Sequence, residues 1–201
     1  YWDSFANFSF DLDKRNQKFQ TTDGYRSLYY LNVPFVSDTN TLKNTYNYKY
    51  FAELYEENIT TFSVYLSAAN SLSNDNVKLS ERLNVPSDKL RGFEFGKVGP
   101  KDGADFIGGN YVSTLNLSST LPNFLENAQN TDFLFFIDAA NIWGVDYDSS
   151  IDNSNQIRSS IGLGLDWFTP VGPLSFSISQ PLTKAASDQT ESFRFNLGTS
   201  F

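Results

Sequence analysis

The side chains able to do chemistry in this chain are few in kind. Cys, His and Met are all absent from its 201 residues. That removes disulfides, thiol nucleophiles, zinc ribbons and iron–sulfur ligation. Without imidazole there is no Ser-His-Asp triad and no common haem or zinc ligand. What remains is carboxylate, ammonium and guanidinium, and their arrangement favours ion pairing over catalysis. Between residues 70 and 108 the acids Asp75, Glu81, Asp88, Glu94, Asp102 and Asp105 are matched one for one by Lys78, Arg82, Lys89, Arg91, Lys97 and Lys101. A balance of that kind predicts an ordered, salt-bridged segment. The sequence carries no catalytic constellation, and neither a cofactor nor a metal is expected.

Those charges need elements to hold them, and the elements follow a period of two. In residues 157–168, Ile157, Ile161, Leu163, Leu165 and Trp167 alternate with Arg158, Ser160, Gly162, Gly164 and Asp166. One apolar and one polar or small face is the mark of a strand, since a helix would scatter both sets around its circumference. The pattern recurs in segments near residues 6–13, 25–33, 45–52, 61–68, 109–121, 131–143, 171–182 and 193–201, which gives nine strands and no convincing helix. Most run for about 10–13 residues. That exceeds the common globular length of about 5–6 and fits the roughly 9–11 tilted residues that cross a bilayer. Trp2, Tyr25, Trp143, Trp167 and Phe201 sit near strand ends, where an interfacial aromatic girdle would place them.

Composition agrees with this class. Aromatics reach 16% and charged residues only 19%, while mean hydropathy is −0.37. No apolar run is long enough for a transmembrane helix, but barrel strands face lipid on alternate residues and average out as polar. A net charge of −8 argues against a nucleic-acid partner, whose phosphates need clustered Lys and Arg. The residue 70–108 connection, without a clear strand, is far longer than compact domains ordinarily carry and reads as functional. On the strand near 131–143, Phe133, Phe135 and Ile137 take one face, which leaves Asp138 on the other, lumenal side. Nine is an odd number where bacterial barrels are even, so the chain is expected to start partway round a barrel.

Several motifs, weak one by one, occur in a specific order. Arg91-Gly92-Phe93 is followed by Gly99-Pro100-Lys101-Asp102, and Gly108-Gly109-Asn110 leads into the next strand. Phe136-Ile137-Asp138, Asn141-Ile142-Trp143 and Ile157-Arg158-Ser159-Ser160-Ile161-Gly162 come next. Pro170-Val171-Gly172-Pro173 and Pro181-Leu182-Thr183-Lys184 precede the closing Phe193-Arg194-Phe195-Asn196-Leu197-Gly198, with Phe201 last. Over residues 90–201 this order resembles the C-terminal half of the barrel in the BamA family of bacterial outer-membrane assembly factors, and more weakly so over residues 1–89.

The resemblance implies a sixteen-stranded barrel preceded by periplasmic POTRA domains, with those domains and the first seven strands absent here. It implies a bacterial outer-membrane location in the lipid bilayer, unfolded outer-membrane proteins as clients, and accessory assembly lipoproteins as partners. It implies that the long loop folds into the lumen, with Arg91 contacting Asp138 on the wall and Gly108 and Gly109 opening the following strand. It also makes the last strand, with Phe193, Phe195, Leu197 and Phe201, a β-signal-like lip of a weak seam at which client strands pair. One departure is Ser118, where relatives often carry a glutamate, so the loop's electrostatic anchor is expected to be thinner. Competing readings are a TamA-like or two-partner translocator with a similar barrel, a passive porin, and a soluble two-sheet binding module.

Overall fold

The computed structural model describes residues 2–55, 58–121, 130–152, 155–169 and 172–197. Nine antiparallel strands form one curved sheet: β1 (Asp3–Asp13), β2 (Gly24–Ser37), β3 (Thr41–Tyr55), β4 (Asn58–Ser71), β7 (Tyr111–Thr120), β8 (Thr131–Trp143), β9 (Arg158–Thr169), β10 (Gly172–Thr183) and β11 (Phe193–Leu197). Each pairs with its sequence neighbours, so the order is an unbroken meander. Among the described residues β1 and β11 are both edges, and the sheet does not close. The alternation expected of nine strands is therefore observed. Helical structure among the described residues is limited to three short 3-10 turns, at Leu79–Glu81, Ser87–Lys89 and Ser149–Ile151.

The 70–108 connection is more structured than its sequence suggests. It contains two of those turns and a hairpin of two-residue strands, β5 (Lys101–Asp102) and β6 (Asp105–Phe106). Such short pieces show no readable period, because two residues cannot establish one. Both long connections, from β4 to β7 and from β8 to β9, emerge at the same end of the wall. Phe201, expected in the last strand, lies outside the described residues, as does most of the connection at 121–130.

The two faces of the wall differ as the strand period requires. Outward residues Leu115, Leu117, Ile137, Leu163, Ile178, Phe193 and Phe195 are exposed, as lipid-facing side chains would be. Inward positions are small or polar: Ser63 and Ser67 on β4, Thr114 and Asn116 on β7, Ser160 on β9, Ser177 and Ser179 on β10, all buried. They are buried because the long loop lies against them. The hydrophobic core is shared between that loop (Val85, Leu90, Phe93, Val98) and the wall (Val112, Ala140, Ile142). A loop that contributes half a core is part of the fold rather than a tether.

Candidate functional site

The site assembles where the loop tip meets the inner faces of β8, β9, β10 and β11. Asp138, on β8, is fully buried, and register places Asn116 of β7 directly opposite it. Arg91 makes a two-pronged contact, its Nε 2.7 Å from Oδ2 of Asp138 and its Nη2 2.7 Å from Oδ1. The Arg91 backbone N–H adds a third bond at 3.1 Å, and Asn116 Nδ2 donates to Oδ1 at 2.9 Å. Four donors thus saturate one carboxylate, the arrangement that makes a buried charge tolerable. Asn116 takes the supporting part without a second acid, and Ser118 stands one pleat further along the same face of β7. The guanidinium also lies over the Phe136 ring, 3.4 Å from its centroid, where the ring's negative face meets the cation.

Gly92 follows at a φ of +90°, and a Cβ there would stand 3.2 Å from Ser179 Oγ and 3.3 Å from Ser160 Cβ. Only glycine suits a left-handed turn pressed between two wall strands. Ser160 closes the contact by donating to the Arg91 carbonyl at 2.5 Å. Phe93 turns the other way and is 1% exposed, inside the shared core. Arg91, Gly92 and Phe93 therefore use charge, shape and apolar burial in turn. Further along, Gly108 has a φ of +69° with the Leu83 carbonyl 2.4 Å from where a Cβ would sit. Gly109 exchanges backbone bonds with Leu83 just before β7 begins.

Three other attachments hold the loop, and alternation alone did not single them out. Arg158 and Asp188 form an ion pair with both side chains fully buried, Nε to Oδ2 at 2.9 Å. Asp188 also accepts the backbone N–H groups of Gly99 and Ala185, at 3.2 and 2.7 Å, so it fastens the loop and the β10–β11 connection to β9. At the loop's start, Asp146 accepts from Arg82 Nη2, from the Val77 N–H at 2.6 Å and from Asn110 Nδ2 at 3.2 Å. Burial pushes the Asp146 carboxyl up, but the Val77 and Asn110 bonds, helped by Arg82, outweigh it and hold the group below the usual carboxylate range. Lastly, Arg194 of β11 donates to the Ser87, Leu90 and Phe93 carbonyls. Parity already placed Arg158 and Arg194 on the inner face. Their partners lie 30 residues away in one case and about a hundred in the other, beyond the reach of any local pattern.

Phe193, Phe195 and Leu197 point outward from β11, which pairs with β10 from Ile178 to Leu174. Phe176 and Phe195 face each other with ring centroids 5.0 Å apart. At the opposite end of the wall a cavity of about 550 Å³ is lined by Arg15, Lys49, Asp132 and Asp166 among others. Its mixed charges select no single class of ligand.

A wall of long antiparallel strands, apolar outside and polar inside, with a loop anchored against its inner face, defines a section of an outer-membrane β-barrel. The Omp85 superfamily domain matches residues 1–201, and the chain belongs to that superfamily. It is 28% identical over 139 residues to the outer membrane protein assembly factor BamA of Neisseria meningitidis, covering 56% of this chain and 17% of that protein. It is 24% identical over 169 residues to BamA of Neorickettsia risticii, covering 82% and 22% respectively. A SAM50-like protein of Schizosaccharomyces pombe is 27% identical over 148 residues, covering 70% and 31%. The solved structure of BamA from Haemophilus ducreyi lacking POTRA domains 1–3 superposes with a TM-score of 0.86 at 25% identity, over 94% of this chain and 41% of that one. The chain is thus a BamA-like barrel portion of the bacterial outer membrane, and it spans about a fifth of the length of the BamA relatives just named.

Proposed function

We propose that this chain is the loop-bearing part of an outer-membrane protein assembly factor that inserts β-barrel clients by strand exchange at a seam bordered by β11. The clients would be unfolded outer-membrane proteins, met in the bilayer and delivered with the help of accessory lipoproteins. No covalent bond changes in this mechanism. In hydrocarbon each unpaired backbone amide costs several kcal/mol, so a strand edge that opens must offer its donors and acceptors to another strand. A client strand can take them as the old partner leaves.

The observation that carries this reading is the seating of Arg91 on Asp138. A passive pore has no need of a loop fixed to one place on its wall, whereas here the loop is held there by an ion pair whose carboxylate is fully buried and saturated. That arrangement fits a part whose position matters. Charge reversal tests it: Arg91→Asp and Asp138→Arg are made singly and together in the natural protein, and growth and client insertion are scored. Rescue by the double variant is expected. If the double variant does no better than either single one, the pairing is not what the activity requires.

A further inference from the structure

We propose that Arg194 is a positioning residue that fastens the lumenal loop to β11, so that loop seating and β10–β11 pairing are thermodynamically coupled. This rests on the reading above, in which β11 is the strand that must let go. Its guanidinium is buried and serves three backbone carbonyls of one loop segment: Ser87 and Leu90 through Nη1, Phe93 through Nη2. Nε is committed to Glu191, three residues earlier, which fixes the fork's orientation. Three carbonyls converge on one side chain only because the 3-10 turn at Ser87–Lys89 and the turn into Phe93 curl the loop around it. The backbone adds to this. Glu94 N–H donates to Gln189 at 3.1 Å, Gln189 N–H to Lys97 at 3.0 Å, and Glu191 N–H to Gly92 at 3.1 Å. The residues just before β11 therefore form a small ladder with the loop tip, with Phe93 and Thr190 as a bridge pair.

The location gives the clamp its significance. Asp138 ties the loop to β8, which has neighbours on both sides. Arg194 ties it to β11, which among the described residues has β10 as its one neighbour. The edge strand of the described wall is thus joined to the loop tip by a side chain and by the backbone just before it. Coupling of this kind is reciprocal. Releasing the loop loosens β11, and displacing β11 withdraws three bonds from the loop.

The test uses the full natural protein in outer-membrane vesicles. The 201 residues contain no cysteine, so once any cysteine elsewhere in the protein is replaced by serine, a Val85→Cys reporter in the buried loop core can be followed by its rate of maleimide labelling. Phe176→Cys with Phe195→Cys, register partners on the outer face, supplies a disulfide that locks β10 to β11. Arg194→Gln is expected to raise reporter labelling about tenfold, since hydrogen bonds from a charged donor are lost. The lock should slow labelling strongly when Arg194 is present and only weakly in Arg194→Gln, where the backbone ladder alone still joins the strand to the loop. Arg194→Lys, a point charge without the fork, should fall between the two, and it carries the comparison if the glutamine variant gives no folded barrel. An unchanged rate in the variants overturns the proposal. So does a lock that restores slow labelling to Arg194→Gln, since Arg194 would then act by holding its own strand alone. No client takes part in this measurement. A protein that passes it yet inserts no client overturns the assembly function and leaves the coupling standing.

Discussion

Asp138 is expensive to bury and is satisfied only as long as its four donors stay in place. Removing one partner of such a pair strands the other, at a typical cost of about 3–5 kcal/mol. Asp138→Ala should therefore lower the unfolding free energy of the refolded full protein, measured by urea titration, by that much, whereas Asn116→Ala, which removes a neutral donor, should cost about 1–3 kcal/mol. Gly92→Ala tests shape instead of charge. Its φ of +90° and the 3.2 Å approach to Ser179 predict a loss of about 1–3 kcal/mol, visible as a lower thermal midpoint. A Ser179→Gly change alone should leave the wild-type midpoint nearly unmoved. Asp146 makes a pH prediction. Its folded-state value lies below the ordinary one, so its contribution is complete above the unfolded value of about 4 and is lost as pH falls through the folded value. A spin label at Leu79, two residues past the Val77 bond, should stay immobile at neutral pH and gain mobility only below about pH 4. Asp146→Asn should leave it more mobile at every pH, with the acid step gone.

At the scale of elements, much was legible because a strand advertises itself twice, by its period and by its length. Ile137 shows both: it sits midway along β8 and points outward, with Asp138 and Phe136 buried on the inner face. The parity argument carries a cost that can be measured. Ile137→Arg would put a cation at the centre of the lipid face, expected to cost about 2–4 kcal/mol in urea unfolding from lipid vesicles. An arginine in place of Leu134, on the inner face near the cavity, should cost far less. The loop was legible only in part. Its balanced charges foretold ion pairs, and Arg82–Asp146 and Lys43–Glu81 are among them, yet the partners are set by how the chain curls rather than by spacing. Asp188 illustrates the limit. In sequence it is a polar residue in a connection, and only the approach of β9 and the Gly99 turn makes it a fully buried hub. Likewise, Arg194 reads as one polar position in an alternating strand until the loop is seen wrapped around its guanidinium.

For the molecule as a whole, the decisive quantity is the number of unpaired edges. β1 and β11 each present a row of backbone donors and acceptors without a partner among the described residues, and neither lipid nor water makes a long open edge harmless. The inner attachments do not remedy this, because Asp138, Asp188 and Arg194 all bind the loop to the wall and none joins β1 to β11. In the solved BamA relative the matched region is 41% of the chain, so the strands that would cover these edges have room in the remainder of such a protein. Heat-modifiable gel migration, in which a closed barrel runs faster until boiled, distinguishes the cases. The 201 residues refolded alone in detergent should show no fast-migrating form, and the full natural protein should show one. Adding the Phe176→Cys/Phe195→Cys disulfide to the 201 residues should not rescue the shift, since it strengthens an existing pair and leaves both edges open. A shift from the 201 residues alone would mean that β1 and β11 can meet. The loop would then lie along the wall of a small closed barrel, and ion conductance, with and without the Arg91–Asp138 anchor, would replace client insertion as the activity to measure.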